Sequence, residues 1–193
     1  MRLILASASP RRAELLQKAG FAVETLPVGV EECVRPGERP EDHVRRLAAE
    51  KSARAEAIIT DRGQAHAVIL GADTAVVVDG DILGKPRDDA DARAMLGRLS
   101  GRSHDVVTGV SLRRNGTEVG RVESSRVFFA PLTADELAWY VRSGEGRDKA
   151  GAYAAQGLAS RFVTRIEGSY SNVVGLPVRA VYELLRQLEL RSG

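Results

Sequence analysis

Cysteine is almost missing from this chain. Cys33 stands alone among 193 residues, which excludes an intrachain disulfide and a cysteine-built metal cluster. Histidine is nearly as scarce: three residues, scattered, with no spacing such as His-Glu-x-x-His that would gather zinc on one helix face. No apolar run nears the length that crosses a bilayer, and the run at 3–6 is too short for the core of a signal peptide. A membrane partner is therefore not expected, and the chain reads as cytoplasmic. There is no long basic block, and the net charge is only +2. A dedicated nucleic-acid binder would show clustered arginines with interleaved aromatics, whereas these arginines are dispersed among acids.

Lysine is the most informative scarcity. Of 28 basic residues only Lys18, Lys51, Lys85 and Lys149 are lysine, the other 24 being arginine. Where arginine is the default cation, a retained lysine marks a candidate position for a compact ammonium with three donors. The length suits one domain, 1–193, and is ample for a sizeable core.

What is present begins with Leu3-Ile4-Leu5-Ala6-Ser7-Ala8-Ser9-Pro10-Arg11-Arg12. A short strand is expected to run into a helix with Ser9 as N-cap and Pro10 at its first position. Leu15, Leu16 and Ala19 form the inward side, and Gly20 stops the helix. The exposed amides of the first turn, with Arg11 and Arg12 beside them, make a site for a multiply charged anion such as phosphate. An ordinary capped helix with two solvated arginines fits the same residues, and the stretch alone leaves both readings open.

Further along, residues 21–26 read as a strand, followed by the acidic pair Glu31-Glu32. A helix over about 41–59 carries the apolar stripe Val44, Ala48, Ala55, Ile58, with Leu47 beside it. The stripe lacks one member, and Lys51 stands there. Either its stem packs while the ammonium reaches water, or the face lines a cleft and Lys51 meets an anion. Residues 67–70 read as a buried strand that stops at Gly71-Ala72-Asp73-Thr74 and resumes over 75–78. A carboxylate between two apolar strands requires a partner or a task, and the loop after a buried strand favours the task.

Asp79-Gly80 and Asn115-Gly116 are hairpin turns, the second joining strands at 103–112 and 117–129. Lys85 lies in the constrained turn Gly84-Lys85-Pro86, and a helix over 88–99 follows. His104 and Asp105 are expected to be a surface pair at a strand end. Thr133 to Glu136 is a capping box, opening a helix that stops at Gly144, with Trp139 and Tyr140 in the core or an interface. Residues 148–157 are rich in small side chains, which lets backbone approach a ligand, and Gln156 both donates and accepts, as reading a base edge requires. A purely structural turn is the alternative there. A strand over 162–166, a loop over 168–172 and a final helix after Pro177 complete the chain. Strands alternating with helices, plus two hairpins, indicate an α/β fold with a mixed, twisted sheet flanked by helices.

Taken in order, these motifs resemble the Maf family of nucleoside triphosphate pyrophosphatases along essentially the whole chain. Ser7-Ala8-Ser9-Pro10-Arg11-Arg12 is similar to the family's N-terminal signature. Glu31-Glu32, Glu50-Lys51, Gly71-Ala72-Asp73-Thr74, Leu83-Gly84-Lys85-Pro86 and residues 105–110 follow in the family's order. The longest match runs from Asp148-Lys149-Ala150-Gly151-Ala152-Tyr153 through Gln156-Gly157 to residues 168–177. Three of the four lysines fall inside these motifs. Residues 148–157 resemble the dTTP/UTP branch rather than the 7-methyl-GTP branch, which has a different, serine-containing segment there. Gly146 stands where the family often has proline, and Ala154-Ala155 replaces a common Gly-Ile pair. Both departures bear on pocket shape rather than on the reaction.

The resemblance implies two lobes around a central cleft, as in related house-cleaning NTP pyrophosphatases, and hydrolysis of dTTP or UTP to the monophosphate and pyrophosphate. It implies catalytic roles for Asp73, Lys51 and Lys85, with Asp73 accepting the proton of the attacking water. Substrate would meet Ser7, Ser9, Arg11, Arg12, Thr74, Lys149 and Gln156. A divalent cation, Mg²⁺ or Mn²⁺, would be held by Glu32 and Asp73, both hard oxygen donors. Its partner would be a small nucleotide, and a homodimer is a family-level expectation. The alternatives are a non-catalytic nucleotide sensor in cell division and the same chemistry on 7-methyl-GTP. A sensor would keep Arg11, Arg12 and the lysines without requiring Asp73 and Glu32, so the intact acidic set counts against it.

Overall fold

Leu3, Ile4 and Leu5 are buried without alternation, as in a strand covered on both faces. They form β1 (Leu3–Leu5), which lies between two parallel strands, β2 (Val23–Thr25) and β3 (Val68–Val78), with Leu3 opposite both Val23 and Val68. The computed structural model describes residues 2–63 and 66–191. β4 (Asp81–Leu83) folds back antiparallel on the end of β3 through Asp79-Gly80, both at positive φ. β5 (Ser103–Arg114) and β6 (Thr117–Phe129) follow through the Asn115-Gly116 turn, and β7 (Val163–Glu167) pairs antiparallel with β6. Among the described residues the strands form one seven-stranded mixed sheet in the order β2-β1-β3-β5-β6-β7, with β4 paired to β3.

Six α-helices accompany these strands among the described residues: α1 (Pro10–Lys18), α2 (Pro40–Asp61), α3 (Asp89–Leu99), α4 (Ala134–Ser143), α5 (Tyr170–Val174) and α6 (Val178–Arg191). None is long and apolar enough to cross a membrane. The signals that end and begin them are local. Gly20 takes φ +84°, its amide donating to Gln17 O and that of Phe21 to Leu16 O, a Schellman close. Asp88 caps α3 through the Asp91 amide, and Thr133 and Glu136 make a reciprocal capping box on α4.

The chain divides into two compact units. The first comprises Met1–Asp73, Thr108–Glu123 and Gly175–Gly193, the second Thr74–Val107 and Ser124–Val174. In the first, Leu3, Leu5, Leu16, Leu70, Leu112, Leu184 and Leu188 gather in one cluster, while Ile4, Ile69, Ala55 and Ile59 form another with α2. α2 lies flush on the sheet because Gly71 and Gly109 leave room. A Cβ on Gly71 would overlap the Ala48 carbonyl, and one on Gly109 the Val44 carbonyl. In the second unit, Val76, Leu96, Leu99, Phe129, Tyr140, Tyr153 and Phe162 share a core.

Several expectations change. β3 is one continuous strand, so Asp73 lies within it rather than in a loop between two strands. Ile59, not Ile58, continues the buried stripe of α2, and Ala19 is exposed at the end of α1. The expected loop at 168–172 turns helical from Tyr170, because the Ser169 hydroxyl accepts from the Asn172 amide. His104 is buried, 3% exposed, rather than half of a surface pair; the Asp105 carboxylate instead accepts from Arg126.

Candidate active site

Lys51 fills the gap in the apolar stripe of α2 and is 7% exposed. Desolvating an ammonium is costly unless opposite charge meets it. Two carboxylates do: Nζ donates to Glu32 Oε1 at 2.6 Å and to Asp73 Oδ1 at 2.7 Å. Glu32 comes from the segment after β2 and remains half exposed, whereas Asp73, on β3, is largely covered. Asp73 is tolerated inside a strand because this ammonium compensates it, and β3 therefore does not break there. The tension seen in the sequence, a lysine in an apolar stripe and an aspartate between apolar runs, resolves as one ion-paired cluster.

The turn between β1 and α1 adds a second cation. Arg12 Nε donates to Gly175 O at 2.8 Å, and its Nη1 donates to Ala72 O at 2.8 Å and to Ser7 Oγ at 3.1 Å. Burial pushes this guanidinium below its ordinary pKa, and the Arg11 charge adds to that, while Asp73 and Glu32 act the other way; a guanidinium stays charged regardless. Arg12 thus ties the Ser7 turn to the carbonyl preceding Asp73. Ser9 occupies the N-cap position but its side chain does not cap; its own amide donates to Ser7 Oγ at 3.2 Å. The first-turn amides of α1 have no side-chain cap, and the Arg11 guanidinium of the same turn makes no hydrogen bond among the described residues.

Thr74, Lys85, Lys149 and Gln156 belong to the second unit. Within it the two lysine-bearing turns are joined: the Gly151 amide donates to Gly84 O at 3.0 Å, one residue from Lys85 and two from Lys149. Lys149 pairs with its neighbour Asp148. Lys85 makes no ion pair among the described residues. Gly151 takes φ +67°, and a Cβ there would meet Val76 Cγ1 at 2.9 Å. Behind this turn, Tyr153 and His104 hydrogen-bond at 2.7 Å between Oη and Nε2, both edge-on to Phe129. Burial lowers the His104 pKa to about 4, against the opposing charge of Asp105, and raises that of Tyr153. His104 was missed as a buried group because one histidine in a strand carries no sign of a partner 49 residues away. Gly146, where proline is common in the family, packs so closely on the Ala152 carbonyl that a Cβ would overlap it.

The donor set bears on metal binding. Glu32 and Asp73 converge on a common cationic point, and two carboxylates are the usual protein share of a Mg²⁺ or Mn²⁺ site completed by phosphates and water. Among the described residues no group of three or more His, Cys, Asp or Glu could form an all-protein cage. The pair fits a cation that arrives with an anionic substrate.

A family model described as Maf-like protein matches residues 2–188. A protein of Anaeromyxobacter sp. (strain Fw109-5) named dTTP/UTP pyrophosphatase is 50% identical over 191 residues, covering 96% of this chain and 89% of the relative. Relatives of the same name are 50% identical in Methylococcus capsulatus, over 100% of this chain and 94% of the relative, and 45% identical in Neisseria meningitidis serogroup B, over 98% and 95%. Among solved structures, the Staphylococcus aureus Ham1 protein covers all of both chains at 15% identity with a TM-score of 0.51, a likeness of fold.

Proposed function

Since the chain belongs to the Maf family, we propose that it hydrolyses dTTP and UTP to the nucleoside monophosphate and pyrophosphate, by attack of water on the α-phosphorus. The observation that carries this reading is the buried Lys51 shared between Glu32 and Asp73. The substrate is strongly anionic and gains charge on the attacked phosphoryl group, so catalysis of this bond is chiefly positioning and charge stabilisation. Lys51, Lys85 and Lys149 supply compact cations for the phosphate oxygens. Ser7, Ser9 and Arg11 at the start of α1 receive phosphate through hydroxyl, amide and guanidinium donors. Arg12 holds the turn they stand on and adds its charge.

Asp73 accepts the proton of the attacking water. Its Oδ1 is occupied by Lys51, and Oδ2 makes no hydrogen bond among the described residues, so Oδ2 is the proposed acceptor. Lys51 also fixes the carboxylate plane, which a general base requires for in-line delivery of water. Glu32 and Asp73 would hold Mg²⁺ or Mn²⁺, which would neutralise charge on the triphosphate. Thr74 and Gln156 contact the base, and the Gln156 carboxamide, exposed and without a partner among the described residues, is available for a pyrimidine edge.

Product analysis tests the reading. Purified protein is incubated with Mg²⁺ and UTP, dTTP, CTP, GTP or 7-methyl-GTP, with and without EDTA. UMP or dTMP plus pyrophosphate, lost on chelation, is the expected result. Orthophosphate as the product rejects attack at the α-phosphorus, and preference for 7-methyl-GTP moves the chain to the other branch.

A further inference from the structure

Gln156 stands on a tight turn in which the Gly157 amide donates to Ala154 O at 3.0 Å. A turn of small residues has little packing to hold it, yet this one is secured at both ends. The Ala154 amide donates to Tyr140 Oη at 3.1 Å, Tyr140 Oη donates to Glu145 Oε2 at 2.7 Å, and Glu145 Oε1 accepts from the Leu158 amide at 2.8 Å. One chain of hydrogen bonds thus runs from the first residue of the turn, Ala154, to the residue after it, Leu158. The Tyr140 ring is 1% exposed, on the inner side of α4. α4 ends at Gly144, whose φ of 72° sends Glu145 back beneath the tyrosine of the helix it has just left. Gly157 completes the fit. Its φ is −109°, outside the left-handed region, and what bars a side chain is the carboxylate itself, since a Cβ would overlap Glu145 Oε1.

We propose that Tyr140 and Glu145 are positioning residues for base selection, holding the 154–157 turn so that Gln156 meets the substrate base in one orientation. The proposal rests on the reading of Gln156 as a base-contacting residue. A carboxylate suits the place because it accepts from an amide and a phenol at once, and hydrogen bonds to a charged acceptor are stronger than neutral ones. Neither residue touches the phosphates in this scheme. Their influence falls on discrimination among bases rather than on the chemical step.

The test uses the full chain with Tyr140→Phe, which keeps the ring and removes the hydroxyl, and Glu145→Gln, which keeps the shape and removes the charge. Steady-state kinetics on UTP, dTTP, CTP and GTP are compared with those of Gln156→Ala. Expected is a roughly fivefold loss of kcat/KM preference for UTP over GTP in each positioning variant, carried by KM, as follows from losing about one hydrogen bond. In Tyr140→Phe/Gln156→Ala the preference should fall no further than in Gln156→Ala alone. A uniform fall in kcat on all four nucleotides, with the preference intact, marks a merely structural role and overturns the proposal while Gln156 keeps its place. An unchanged preference in Gln156→Ala removes the base-contact reading and the proposal with it.

Discussion

The Lys51 ammonium lies 2.7 Å from Asp73 Oδ1, joining the middle of α2 to the middle of β3. Each residue is out of place by itself, a cation in an apolar stripe and an anion in a buried strand, and each is the reason the other is tolerated. Removing either partner therefore has different consequences for stability and for catalysis.

Asp73→Asn keeps the side-chain shape and an acceptor for Lys51 but removes the proton acceptor. Turnover of UTP should fall by about a hundred- to ten-thousandfold, the usual share of a general base, with nucleotide affinity changed only a few-fold. Single-turnover rates and equilibrium binding on the same preparation check it. Near-normal turnover would take the proton-accepting role away from Asp73.

Lys51→Met leaves the covered Asp73 carboxylate without its ion-pair partner, and only the more distant Arg12 charge still opposes it. Breaking a buried pair from one side costs about 3 kcal/mol or more, and the half-exposed Glu32 keeps the value at the low end. Urea denaturation should show this loss, and adding Asp73→Asn to Lys51→Met should recover part of it. A double variant no more stable than the single one would contradict the charge explanation.

Arg12→Lys retains the charge but not the planar fork that reaches Gly175 O, Ala72 O and Ser7 Oγ together. Stability should drop by about 1–2 kcal/mol, and KM for UTP should rise as the Ser7 turn loosens. A lysine that preserved both would reduce Arg12 to a solvated charge.

His104 gives a pH dependence of known sign. Burial lowers its folded pKa to about 4 from an ordinary 6.5. The unfolded chain therefore takes up the proton first as pH falls. The stabilisation is complete above 6.5 and is lost between 6.5 and 4, amounting at most to roughly 3 kcal/mol. His104→Gln should flatten the decline in unfolding free energy across that window. Parallel pH profiles for the two proteins would show that the histidine is not held neutral by the fold.

Gly151→Ala places a Cβ against Val76 in a backbone at φ +67°. A loss of about 1–3 kcal/mol is expected. A fall in kcat should accompany it, because the Gly151 amide joins the Lys85 and Lys149 turns. Ala at this position with unchanged melting temperature and unchanged kcat would rule out that linkage.

Much of this protein was legible in its order of residues. Period and punctuation located the helices and hairpins: Gly20, Asp88, the Thr133 capping box, Asn115-Gly116. These signals act within a few residues of themselves, so no tertiary partner is needed to read them. The scarcity of lysine also drew attention to Lys51, which the fold pairs with Glu32 and Asp73, since a compact ammonium kept where arginine is the default cation has a specific partner to meet.

Tertiary structure decided what depends on a distant partner. Only the fold could show that Asp73 sits within an unbroken strand, because the ammonium that permits it is 22 residues earlier. The stripe of α2 drifts to Ile59 because flush packing on Gly71 and Gly109, not helical period alone, selects the buried face. His104 looked exposed until Tyr153 was found against it, and Glu145, which carried no signal in the sequence, holds the Gln156 turn through its carboxylate. In each case the position is settled by a close packing contact, a hydrogen bond or a charge pair whose second member lies on another element, and local pattern carries no record of such a partner.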